Sequence, residues 1–85
     1  MWREVDNSLQ AEFRFADFKQ AFGFMTQVAL HAEALRHHPE WRNVYNTVEI
    51  LLRTHDAGNT VTSKDRELAE LIAAIPGASE AVIDA

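Results

Sequence analysis

The chain has 85 residues, enough for one domain and too few for two. Its formal net charge is −5 and no basic run occurs, which argues against nucleic acid as a direct partner. It has no cysteine, so disulfides and thiolate metal sites are excluded.

The apolar runs are far shorter than a membrane span, and no charged-then-apolar signal segment opens the chain. A soluble, cytoplasmic protein without membrane contact is the expectation. A domain of this size leaves much surface exposed, so self-association is expected to contribute to stability.

Met1 to Phe15 reads as two short strands. Trp2, Val5 and the Asn7-Ser8 pair mark a first strand running into a turn. From Leu9 the alternation is strict. Leu9, Ala11, Phe13 and Phe15 fall on one side, Gln10, Glu12 and Arg14 on the other, as in a half-buried strand.

Asp17 to His37 reads as the long helix, with Asp17 placed as an N-cap or first-turn acid. Phe18, Phe22, Met25, Val28, Ala29, Ala32 and Leu35 recur at helical steps and form the expected core stripe. Phe24 falls off that stripe beside Gly23, and the two mark a second contact face; a merely tolerated glycine is the alternative.

Pro39 lacks an N–H and pushes its predecessor out of the α region. The helix is therefore expected to stop at His37 or His38, leaving one imidazole on the last turn and the other on non-helical backbone. Trp41 to Val44 then reads as a short strand and Tyr45-Asn46 as a tight connection. Thr47 to His55 is the clearest strand, with Val48, Ile50, Leu52 and Thr54 on one face. His55 shares the other face, and Asp56 to Asn59 is loop.

Thr62-Ser63-Lys64-Asp65 opens the last helix with a capping-box pattern. Leu68, Leu71, Ile72 and Ile75 form its stripe, and Pro76-Gly77 ends it. Residues 1–77 thus make a single domain, with 78–85 as a loosely held C-terminal tail. The order β-β-α-β-β-α gives an α+β fold, a four-stranded antiparallel sheet with helices packed on one face.

The chemistry-bearing residues gather around His37-His38-Pro39-Glu40-Trp41. Glu33 lies four residues before His37, so the carboxylate is expected to orient that imidazole; a surface ion pair at the helix end is the plainer alternative. Trp41 offers a flat face for an aromatic ligand, or simply core. His55 arrives from the strand end, and His31 is assigned to the surface. Neighbouring histidines ligate one zinc awkwardly, and no serine is evidently tied to a histidine. Acid–base work suits imidazoles titrating near neutral pH.

Glu33, three residues, His37-His38-Pro39, five residues, Tyr45, nine residues, His55 and then Asp65 resemble the signature of pterin-4a-carbinolamine dehydratases. Asp17-Phe18, Ala21-Phe22-Gly23-Phe24-Met25-Thr26, Val28-Ala29-Leu30 and Asn43-Val44-Tyr45-Asn46 are similar to that family too, and the likeness runs from Trp2 to about Ile75. The resemblance implies that His37, His38 and His55 line a pterin pocket, with Pro39 and Trp41 shaping it, Glu33 supporting His37, and Asp65 completing the pattern. On the local reading alone Asp65 is a helix cap.

It further implies dehydration of 4a-hydroxytetrahydropterin to quinonoid dihydropterin in tetrahydrobiopterin recycling, without a metal or redox cofactor. His38 and His55 are expected nearest the leaving hydroxyl, with His37 as orienter or third relay. Partners implied are the pterin substrate, a homodimer or homotetramer, and an aromatic amino acid hydroxylase as supplier. The alternative function is a helix-mediated interaction protein, a dimerisation cofactor of a transcription regulator. Family members usually carry a further helix before the position of Trp2.

Overall fold

The computed structural model describes residues 1–83. Four strands, β1 (Arg3–Val5), β2 (Ser8–Arg14), β3 (Glu40–Val44) and β4 (Thr47–Leu52), form one antiparallel sheet in the order β1-β2-β4-β3. Helix α1 (Phe18–Leu35) connects β2 to β3, and α2 (Ser63–Ala73) and the short α3 (Ala78–Ala81) follow β4. The expected α+β architecture is the observed one.

The register of the two central strands explains why the sheet has one buried face. Leu9 lies opposite Leu52, Ala11 opposite Ile50 and Phe13 opposite Val48, so the apolar side of each strand meets the apolar side of its neighbour. A one-residue slip of either strand would turn its three apolar side chains outward. Gln10, Glu12 and Glu49 occupy the other face, away from the helices.

The hairpins show how turn chemistry sets that register. Asp6 and Asn7 both adopt positive φ, 49° and 60°, the backbone a two-residue hairpin turn requires. The β1–β2 turn therefore lies one residue earlier than the Asn7-Ser8 reading. Ser8, buried, already belongs to β2 and its hydroxyl donates to the Val5 carbonyl at 2.6 Å. Tyr45-Asn46 does connect β3 and β4, with Tyr45 at φ 49°.

Helix α1 starts where expected, Asp17 accepting the Gln20 N–H at 2.8 Å. Its rotation about its axis differs from the expected stripe. Ala21, Phe24, Val28 and Ala32 face the core, whereas Phe18 and Phe22 are 48% and 56% exposed. Phe24 packs against Phe13 and Phe15 at ring-centroid distances of 4.8 and 4.9 Å. Both stripes are apolar at helical spacing, so periodicity alone could not say which meets the sheet. A Cβ added at Gly23 would meet nothing within 4 Å among the described residues, so no close approach of another element requires this glycine.

The helix also stops earlier than Pro39 requires. Arg36 adopts the left-handed conformation at φ 53°, its N–H bonds the Glu33 carbonyl at 3.1 Å, and the His37 N–H bonds the Ala32 carbonyl at 3.0 Å. This pair of bonds is a Schellman closure, built here without the usual glycine. Neither histidine is on the last helical turn; both follow it on non-helical backbone leading into β3.

The C-terminal segment departs most from expectation. Ala78 and Ala81 are buried, Val82 bridges to Phe13, and the Ile83 N–H bonds the Glu12 carbonyl at 2.8 Å. Residues 78–83 thus occupy the edge of β2 beyond the short β1 and cover the end of the core, so they are not a loosely held tail. Asp84 and Ala85, the rest of that expected tail, lie outside the described residues.

Candidate active site

The early closure of α1 delivers His37 inward. Its side chain turns under the sheet end, the residue 8% exposed, and Nε2 lies 2.5 Å from Oδ1 of Asp65, which is fully buried. Asp65 sits in the first turn of α2, and its Oδ2 accepts the Thr62 backbone N–H at 2.8 Å, half of the expected capping box. The same oxygen accepts the Thr54 hydroxyl at 2.8 Å. One carboxylate therefore ties together the exit of α1, the end of β4 and the start of α2.

Burial alone would raise the Asp65 pKa. The hydrogen bonds from His37, the Thr62 N–H and Thr54, with the charge interaction with His37, outweigh it and hold the carboxyl below its ordinary range. An ionised carboxylate only accepts, so His37 Nε2 carries the shared proton. In the neutral ring Nδ1 is then left as a lone pair. Among the described residues that nitrogen has no hydrogen bond and no fully buried side-chain nitrogen or oxygen is unpartnered, so Nδ1 keeps some access to solvent. A fixed imidazole with one nitrogen on a carboxylate and the other open is suited to moving a proton.

Glu33 does not support His37, as its spacing suggested. It reaches His38 instead, Oε1 to Nε2 at 2.9 Å, with the two side chains 82% and 66% exposed. The physical reason is the left-handed Arg36, which ends the regular helix before His37 and swings that ring off the Glu33 face. Asp65 is a cap, as its local context indicated, and also the partner of His37, 28 positions away in sequence.

Regular β4 ends at Leu52, short of the expected His55. Thr54 forms an isolated bridge with Thr60, and His55 opens a short 3-10 turn, His55–Ala57. The alternation persists through this loop, Thr54 buried and His55 outward. His55 Nδ1 donates to Asn59 Oδ1 at 2.7 Å, leaving Nε2 at 3.8 Å from Glu40 Oε2. Glu40, the first residue of β3, is held chiefly by Arg53, whose Nε donates to it at 2.9 Å and lowers the carboxyl pKa.

The three histidines thus come from segments meeting at one end of the sheet, His37 inside and His38 and His55 at the surface. Pro39 is half-buried between His38 and Glu40 in the chain, and Trp41 is 37% exposed on edge strand β3, opposite Ile50. His31, half-buried on α1, has no side-chain hydrogen bond among the described residues and stays apart from these contacts. Thr54 and Glu40 were not singled out in the sequence. A threonine directly before the strand-end histidine, and the acid in His-His-Pro-Glu, were the available signals. Among the described residues no group of three or more His, Asp or Glu has the geometry to hold a metal ion.

Comparison with known proteins gives a consistent result. The family model described as pterin 4 alpha carbinolamine dehydratase matches residues 1–75. A Rhodopseudomonas palustris (strain HaA2) protein, provisionally named a pterin-4-alpha-carbinolamine dehydratase, is 58% identical over 78 residues, 89% of this chain and 76% of its own. A provisionally so named Solibacter usitatus (strain Ellin6076) protein is 55% identical over 74 residues, 87% of this chain and 77% of its own. The crystal structure of a transcriptional coactivator/pterin dehydratase from Brucella melitensis superposes with a TM-score of 0.83 at 49% identity, covering 89% of this chain and 82% of that one. The chain belongs to the pterin-4-alpha-carbinolamine dehydratase family.

Proposed function

We propose that the chain dehydrates 4a-hydroxytetrahydropterin to quinonoid dihydropterin and water by histidine acid–base catalysis, as a step of tetrahydrobiopterin recycling in the cytoplasm downstream of an aromatic amino acid hydroxylase. The observation carrying this reading is the buried His37–Asp65 pair with an open Nδ1, in a chain of this family. In the reaction the C4a hydroxyl takes a proton and leaves as water, while the neighbouring ring nitrogen loses its proton and forms the C=N bond. Two proton transfers on opposite sides of one bond call for two imidazoles.

His37 is the base in this proposal, its Nδ1 lone pair accepting the ring-nitrogen proton. His55 is the acid, its Nε2–H donating to the hydroxyl while Nδ1 stays on Asn59, and the ring regains its proton from solvent. His38, with Glu33, stands at the rim as a substrate contact, and Pro39 and Trp41 border the pterin ring. This exchanges the expected roles of His37 and His38, because His37 is the ring fixed by a buried carboxylate. The test is the decay of freshly generated carbinolamine, followed by absorbance. The protein should accelerate it by on the order of 10²-fold or more, and equally in excess EDTA. No acceleration would remove the reading, and a loss in EDTA restored by zinc would replace it with a metal-assisted one.

The exposed apolar face of α1 favours a second role. Phe18 and Phe22, 5.9 Å between ring centroids, and Leu30 point to solvent from the helix. This face suits association with a second copy of the chain, as dimer or tetramer, and the Brucella relative's coactivator name motivates a transcription-regulator partner. In sedimentation at micromolar concentration the wild type should be oligomeric and Phe22→Glu shifted towards monomer. A monomeric wild type contradicts this role.

A further inference from the structure

Thr54 occupies an unusual place in the site. Its backbone is pinned on both sides, the N–H on the Thr60 carbonyl at 2.8 Å and the carbonyl on the Asn59 N–H at 3.1 Å. Its side chain points inward, and its hydroxyl lies 2.8 Å from Asp65 Oδ2 and 2.6 Å from the Thr62 hydroxyl. A hydroxyl has one proton to give. The carboxylate can only accept, so the Thr54 proton goes to Asp65, and Thr62 Oγ1 donates to Thr54. The chain of donors is thereby directed: Thr62 to Thr54, Thr54 to Asp65, with His37 donating to the opposite oxygen of the same carboxylate.

We propose that Thr54 is a positioning residue for His37: its hydroxyl holds the Asp65 carboxylate in the rotation from which Oδ1 fixes the imidazole ring. The Thr62 N–H alone leaves Oδ2 with a single donor, about which the carboxylate can turn. A second donor from another direction removes that freedom, and with it the freedom of the His37 ring. Because His55 is the next residue, the same pinned backbone sets both histidines. The catalytic consequence rests on the dehydratase reading above; the orientation of His37 does not.

The test compares Thr54→Val, close to threonine in shape but without the hydroxyl, with Thr54→Ser. Nitrogen chemical shifts of His37 in the wild type should report a single tautomer, Nε2 protonated and Nδ1 bare. Thr54→Val should move both shifts towards the average of two tautomers, and Thr54→Ser should restore them. The dehydration kcat should fall by about tenfold in Thr54→Val with KM within about twofold, and recover in Thr54→Ser. In the wild type the Thr54 hydroxyl proton should exchange slowly enough to be observed by NMR, a measurement independent of whether Thr54→Val folds. A folded Thr54→Val with unchanged His37 shifts overturns the proposal, as does a rapidly exchanging hydroxyl. A wild type that fails to dehydrate the carbinolamine removes the dehydratase reading, while the shifts still decide the role of Thr54.

Discussion

Asp65→Ala should lower both stability and activity more than any other single truncation at this end of the sheet. The carboxylate is fully buried and receives three hydrogen bonds from three different segments. Breaking a buried, hydrogen-bonded pair by removing one partner costs about 3–5 kcal/mol, a large share of the 5–15 kcal/mol of a typical small domain. The thermal midpoint should fall by more than about 10 °C. The pH dependence has a defined sign. The folded-state pKa of Asp65 is depressed, so its contribution is fully present above about pH 4 and is lost as pH falls through the folded value. The wild-type midpoint should therefore drop steeply below pH 4, and Asp65→Asn, already destabilised at pH 7, should show a shallower acid limb. Calorimetry from pH 7 to pH 3 checks both, and parallel acid limbs would contradict the assignment.

His55→Ala should have the opposite profile, a large loss of rate with the fold intact. The ring is exposed and its contacts are Asn59 and the edge of Glu40, so truncation opens no cavity. Loss of a general acid reduces rate by about 10²- to 10⁴-fold, and the thermal midpoint should move little. His38→Ala should reduce rate by raising KM, because the exposed Glu33 pair contributes little to stability. His31→Ala should leave rate unchanged. Equal losses in His31→Ala and His55→Ala would break the assignment of the site.

These two residues also mark how far the sequence can be read. The sheet was legible because β2 and β4 each carry strict alternation, and only one register joins Leu9, Ala11 and Phe13 to Leu52, Ile50 and Val48. The phase of α1 was not legible, since Phe18 and Phe22 satisfy the helical period as well as Phe24 does. Which stripe is buried depends on Phe13 in β2 and Phe15 just after it, outside the helix. The same limit applies at the site. The triad of histidines was visible in the spacing, but the partner of His37 was sought among its helical neighbours. Asp65 is distant in sequence and reaches His37 only because a left-handed Arg36 turns the chain, a conformation that no glycine announced. The segment after Pro76-Gly77 was read as loose because it follows a helix stop near the chain end, yet small size is what lets Ala78 and Ala81 pack against the core.

In the proposed reaction the open Nδ1 of His37, held by Asp65, moves a proton of the carbinolamine. Chemical rescue tests it most directly: the dehydration rate of His37→Ala is measured with and without added imidazole, after subtracting the buffer-catalysed rate. The variant should be at least tenfold slower than wild type, and imidazole should restore part of the rate in a saturable manner as it occupies the vacated space beside Asp65. A folded His37→Ala protein as active as wild type, or one whose lost rate imidazole leaves unchanged, would contradict it.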